Sequence, residues 1–155
     1  MNPFQHNRHL HTILPKLDIA GPIENSVAVI DSDYNCNLFL CRGYQYDDNT
    51  SNTLALSAGD VVDIHIDIIA GHKPGYANIS VVDTVANRLI GAPLKVWDDF
   101  LSSDPDVPDD ERDFSVTIPD GLPADCGQGG NCVLQWYWYA TGNEQTYISC
   151  LDFTI

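Results

Sequence analysis

Hydrophobic and polar positions alternate along much of the chain, and the sharpest alternation lies near its end. In residues 132–139 (CVLQWYWY), Leu134, Trp136 and Trp138 fall on one side and Val133, Gln135, Tyr137 and Tyr139 on the other. A strand apolar on both faces is predicted, as suits the middle of a sheet. Residues 140–144 (ATGNE) carry turn chemistry, and residues 145–155 run back as a second β-rich segment, so the pair reads as a closing hairpin. Residues 61–69 give another clear strand, with Val62, Ile64, Ile66 and Ile68 on one face and Asp63, His65 and Asp67 on the other. Alternating runs at 76–83 and 114–118, an apolar run at 26–30 (SVAVI), and a turn with a short strand at 87–91 complete the set.

Between these runs the chain is irregular. Residues 1–25 hold no period and carry Pro3, Pro15 and Pro22, which predicts an irregular N-terminal arm lying across the domain. Residues 36–41 (CNLFLC) read as a core-facing segment pinned by covalent bonds, and Gly59-Asp60 as a turn feeding the next strand. Trp97 and Phe100 suit packing at one end of the core better than ligand stacking. Residues 101–112 (LSSDPDVPDDER) read as an acidic surface loop. The total is about seven or eight short strands and no helix. One domain over residues 1–155 is expected, an all-β antiparallel β-sandwich of the Ig or fibronectin type III kind.

Composition agrees with a globular chain, since 44% of its 155 residues are hydrophobic. The 22 acidic residues against 7 basic ones give a net charge of -15. That charge repels phosphate backbones and anionic headgroups, so neither nucleic acid nor membrane is expected as a partner, whereas a neutral glycan or a cation is compatible. The five cysteines, at 36, 41, 126, 132 and 150, lack the spacing of a zinc site. A disulfide framework is expected instead: Cys126 with Cys132, Cys150 with either Cys36 or Cys41, and one thiol left over. Such bridges imply an oxidising compartment, hence a secreted, extracellular protein, with a monomer expected. Residues 1–17 lack the apolar core of a signal peptide and no run approaches a membrane span, so Met1 reads as an initiator placed ahead of a mature chain. Asn49-Thr-Ser51 and Asn78-Ile-Ser80 are glycosylation sequons.

Candidate chemistry is sparse. Asp31 and Asp33 are spaced as oxygen ligands often are, but no glycine or distal glutamate completes a calcium loop, and a solvated turn is the better reading. Asp63, His65 and Asp67 could line a metal on one strand face, although a solvent-facing polar row predicts the same pattern and is preferred. His9 and His11, with His6 nearby, could offer imidazoles from one extended segment. His72 sits in a loop (AGHKPG, 70–75) stiffened by Gly71, Pro74 and Gly75, which can present an imidazole at a surface with little freedom to lose. No Gly-x-Ser-x-Gly elbow and no phosphate-binding glycine loop occurs.

The run Gln145-Thr-Tyr147-Ile-Ser-Cys150 after a Trp/Tyr-rich strand resembles the C-terminal hairpin of lytic polysaccharide monooxygenases and the chitin-binding modules related to them, mainly fungal secreted proteins. His72, in a Gly/Pro loop just before a strand, resembles the second histidine of that family's copper site, and the CxxxxC-Arg-Gly stretch from Cys36 is similar to segments of its fungal members. The resemblance implies copper as cofactor, with His72 as a nitrogen ligand, Tyr147 near the axial position and Gln145 as the group that orients the oxygen species. It implies a disulfide at Cys150 and a polysaccharide substrate, chitin or a cell-wall glucan. The family's other two nitrogens are the amine and ring of an N-terminal histidine, whereas residue 1 here is Met. The expectation is therefore a copper site completed by an imidazole of His6, His9 or His11, with oxidative cleavage weakened or absent. The alternative is a non-enzymatic secreted interaction or virulence protein with the same sandwich.

Overall fold

The computed structural model describes residues 21–28, 30, 32–34, 36–101 and 107–155. His6, His9, His11 and Asp31 lie outside the described residues. Eight strands occur among those described: β1 (Leu54–Ala55), β2 (Val61–His65), β3 (Gly75–Asp83), β4 (Arg88–Leu89), β5 (Lys95–Trp97), β6 (Asp113–Thr117), β7 (Cys132–Ala140) and β8 (Gln145–Thr154). They form two layers. The main sheet has the order β1-β8-β7-β3-β4, with β5 also on β3, and the second sheet is the pair β2-β6. The result is an all-β, Ig-like sandwich.

The alternation read along the chain is what closes the core. Leu134, Trp136 and Trp138 of β7, Ala77, Ile79 and Val81 of β3, and Leu151 and Phe153 of β8 meet Val62 and Ile64 of β2 and Phe114 and Val116 of β6. The closing hairpin pairs Val133 with Asp152 through to Ala140 with Gln145, and β7 lies between β8 and β3 as its two apolar faces demand. Trp97 is buried on β5, edge-on to Phe114 at 4.7 Å and to Trp136 at 5.3 Å, so it is a core residue. The bridges are Cys126–Cys132 and Cys41–Cys150, which leaves Cys36 as the free thiol.

The structure departs from expectation in four places. The described residues of 26–30 form no strand: the chain forms a helix, α1 (Ile23–Val27), entered from Pro22. Ile23 and Ser26, three residues apart, turn to one side and are buried, and a short apolar run fits either period. The last residues of the expected irregular arm are thus helical, and Ile23 packs with Leu38 and Ile148 on the outward face of the main sheet. The strand expected over 61–69 stops at His65, because its partner β6 begins at Asp113 and is preceded by a second short helix, α2 (Asp109–Arg112). That helix also replaces the end of the expected acidic loop: Glu111 is buried and accepts a hydrogen bond from the Leu101 N–H at 2.8 Å. Finally, β1 runs parallel to β8, so the sandwich is not wholly antiparallel.

Candidate metal site at the end of the closing hairpin

Register sets the site. Trp138 and Tyr147 are directly opposed across β7 and β8, and their rings stack at 4.4 Å between centroids with planes 20° apart. The His72 ring lies nearly parallel to both, 5.9 Å from Tyr147 and 6.2 Å from Trp138. The residues from the middle and the end of the chain are therefore together. His72 and Tyr147 are half-buried, while Gly71, Lys73 and Pro74 around them are exposed, so the ring stack opens to solvent at the rim of the sandwich.

The loop carrying His72 is fastened to the turn between β7 and β8. The Pro74 carbonyl accepts from the Thr141 N–H at 2.9 Å and from Thr141 Oγ1 at 3.0 Å. Close approach also fixes two glycines. A Cβ at Gly142 would lie 2.9 Å from the Lys73 carbonyl oxygen, and one at Gly75 would lie 2.7 Å from the Tyr139 carbonyl oxygen and 2.9 Å from Trp138 Nε1. These contacts fix the backbone immediately after His72, which limits where its imidazole can sit.

Tyr147 and Gln145 face the same way on β8, and the Tyr147 hydroxyl donates to Gln145 Oε1 at 2.9 Å. Asn143 Nδ2 donates to the same oxygen at 2.6 Å. Sequence reading missed Asn143 and the role of Trp138. The only signal for the latter was the equal spacing of Trp138 and Tyr147 from the intervening turn. On the neighbouring edge, Glu24 of α1 accepts from the Thr146 N–H at 2.9 Å, which anchors the N-terminal part of the chain beside the site.

His65 is elsewhere. It faces outward from β2, with Nδ1 2.7 Å from Asp113 Oδ1, and Asp63 accepts from Ser115 Oγ at 2.6 Å. These are exposed cross-strand pairs, and Asp67 lies beyond the end of β2. The row expected as a possible metal face is thus a solvent-facing polar row.

The chemistry of the His72 stack fits a copper ion in part. The described residues offer one imidazole, one phenol and one amide, and no described residue hydrogen-bonds the ring nitrogens of His72. The ring lies beside the stacked Trp138–Tyr147 pair and is half-buried at the open rim, where a metal could reach it from solvent. Among the described residues there is no cluster of three or more His, Cys, Asp or Glu able to hold a metal. Further nitrogens would have to come from residues 1–20, which carry His6, His9 and His11.

A two-layer sandwich with an imidazole and a phenol stacked at its rim defines a class of β-sandwich with a candidate rim metal site. The family described as lytic polysaccharide mono-oxygenase, cellulose-degrading, matches residues 7–153. The chain belongs to the lytic polysaccharide monooxygenase family. Among solved structures it is similar to the AA10 lytic polysaccharide monooxygenase from Streptomyces lividans, at 13% identity and a TM-score of 0.49, covering 92% of this chain and 85% of that one. No curated protein sequence matches the chain. No helix among the described residues is long and apolar enough to cross a membrane.

Proposed function

We propose that this chain is a secreted, single-domain copper protein acting on an insoluble polysaccharide, with copper held by the His72 imidazole and by an imidazole of His9 or His11. The observation that carries the reading is the 5.9 Å approach of the His72 and Tyr147 rings at an open rim, in a chain that belongs to a family of polysaccharide monooxygenases. The two disulfides support export to an oxidising compartment. Ten residue steps lead from His11 to Gly21, a span of up to about 35 Å when extended, and α1 joins β8 next to Tyr147, so the reach is ample.

Copper bound there would supply the one-electron chemistry by which oxygen or peroxide is activated to take a hydrogen from a glycosidic carbon. The chain's own residues shape the surroundings. Tyr147 is committed as a donor to Gln145, so its phenol is held in one orientation beside the imidazole. Gln145 Oε1 already receives two donors, which leaves its Nε2 as the group able to donate to an oxygen species. Stacked Trp138 excludes water from one face of the Tyr147 ring. The rim is open enough for a flat crystalline substrate, chitin or a cell-wall glucan, with the family's description favouring cellulose.

Electron paramagnetic resonance of the copper-loaded protein tests the assignment. A spectrum split by nitrogen ligands is expected, lost in His72→Ala and altered in His9→Ala or His11→Ala. Mass spectrometry of products from cellulose and chitin, with reductant and peroxide added, is expected to show oxidised oligosaccharides. An unchanged spectrum in His72→Ala overturns the metal assignment. Copper binding without oxidised products leaves a copper- or polysaccharide-binding relative rather than an enzyme.

A further inference from the structure

A cavity of about 280 Å³ opens on the outward face of the main sheet, walled by Arg42, Tyr46, Asn49, Val133, Asp152 and the Cys41–Cys150 bridge. It is separate from the His72 stack. Asp152 lies opposite Val133, whereas Tyr147 lies opposite Trp138, five residues along the hairpin, which is about 17 Å at the rise of a strand. Tyr147 also packs toward the core with Leu151 and Phe153, and alternation turns Asp152 to the other face.

The walls of this cavity are fixed. Tyr46 packs so closely on the backbone behind it that a Cβ at Gly130 would lie 2.8 Å from its ring, and its hydroxyl accepts from Thr53 Oγ1 at 3.2 Å. At the rim, three successive residues take left-handed backbone conformations: Cys41 at φ 50, Arg42 at φ 59 and Gly43 at φ 77. That conformation is costly for the first two and persists only where the surroundings impose it, a condition met at clamps around ligands. Here the bridge to Cys150 and the bond from Arg42 Nη1 to the Gly21 carbonyl, at 2.7 Å, impose it.

The lining specifies a ligand chemistry. One oxygen of the half-buried Asp152 carboxylate accepts from Asn49 Nδ2 at 2.6 Å, and the other has no donor among the described residues. Burial pushes this carboxyl above the usual carboxylate range, against the Asn49 hydrogen bond, as expected of an acceptor short of donors. Arg42 and Asp152 place opposite charges in the same wall. A metal cation would lack a ligand set, since no three His, Cys, Asp or Glu stand together among the described residues, and an anion would face both Asp152 and the net charge of -15. A neutral ligand meets neither penalty. Hydroxyls can donate to Asp152, and an apolar ring face can lie on Tyr46 and the disulfide.

We propose that this cavity binds a neutral, polyhydroxylated ring the size of a single sugar, at a site distinct from the His72 stack. The inference does not depend on copper, and failure of either reading leaves the other standing.

The test is a titration of the ¹⁵N-labelled protein, followed by amide shifts, with glucose, N-acetylglucosamine and myo-inositol as neutral probes and with phosphate and tetramethylammonium as charged ones. Saturable shifts at Asn49, Thr84 and Asp152 are expected with at least one neutral probe, at millimolar affinity. Val85→Trp, at an exposed position lining the cavity, should block it and weaken binding at least about tenfold, and Asp152→Asn should weaken it severalfold. Val85 is exposed and Asp152→Asn keeps the size of the side chain, so signals away from the cavity should be unmoved in both variants, which verifies folding. The proposal is overturned by no saturable shift with any neutral probe, by shifts centred elsewhere, by binding insensitive to both variants, or by binding of the charged probes alone.

Discussion

At the residue scale, Tyr147 divides its contribution between a ring and a hydroxyl. Tyr147→Phe keeps the stack on Trp138 and His72 and removes the hydroxyl with its hydrogen bond to Gln145, so stability should fall by about 1 kcal/mol. Tyr147→Ala removes the stack as well and should cost about 2–4 kcal/mol. Denaturant unfolding of the two variants separates these cases, and equal losses would mean that the stack contributes nothing. Tyr147, Gln145 and His72 could be picked from sequence because their residue types and order resemble a known hairpin and loop. Trp138 and Asn143 could not. The first reads as one more apolar residue until strand pairing places it opposite Tyr147, and the second as one more turn residue.

At the element scale, long alternating runs were legible and short ones were not. β6 and most of β7 follow the period-two pattern closely, whereas β3 is buried on both faces from Ile79 to Val82 and β8 shifts phase at Ser149–Cys150. α1 escaped notice because five residues are too few to show a helical period, and what holds it is tertiary: Ile23 against Leu38 and Ile148, and Glu24 on the edge of β8. The end of β2 is likewise set by where its partner starts. Cysteine pairing was half legible. The bridge across six residues between Cys126 and Cys132 was expected, whereas Cys36 and Cys41 were equivalent until the fold brought one of them to Cys150. The two bridges should differ in weight. Cys41–Cys150 closes 109 residues and its removal should cost about 5 kcal/mol, against about 2 kcal/mol for the short bridge. Unfolding of Cys41→Ala/Cys150→Ala beside Cys126→Ala/Cys132→Ala compares them, and a larger loss from the short bridge would refute this ordering.

At the scale of the whole molecule, the charge of -15 makes stability depend on pH and salt. Burial pushes the carboxyls of Asp152 and Glu111 above the usual range, in each case against a hydrogen bond that draws it back. Each therefore holds its proton more tightly folded than unfolded. Their contribution to stability is complete below the ordinary carboxylate range and is lost as pH rises through the raised values. Relief of repulsion between the many carboxylates acts in the same direction. The melting temperature should consequently rise from neutral pH toward about pH 5, and added salt should raise it most at neutral pH. Asp152→Asn should flatten part of that rise. A melting temperature that falls over this interval in the parent protein would contradict the sign argued here.

The measurement closest to the central claim is the map of amide signals broadened by substoichiometric copper(II) in the ¹⁵N-labelled full chain. A paramagnetic ion at the rim should erase first the signals around His72 and Tyr147, together with a group among residues 1–20, and His72→Ala should abolish the effect at Tyr147. Broadening centred on His65 and Asp113, or confined to residues 1–20 with Tyr147 untouched, would contradict it.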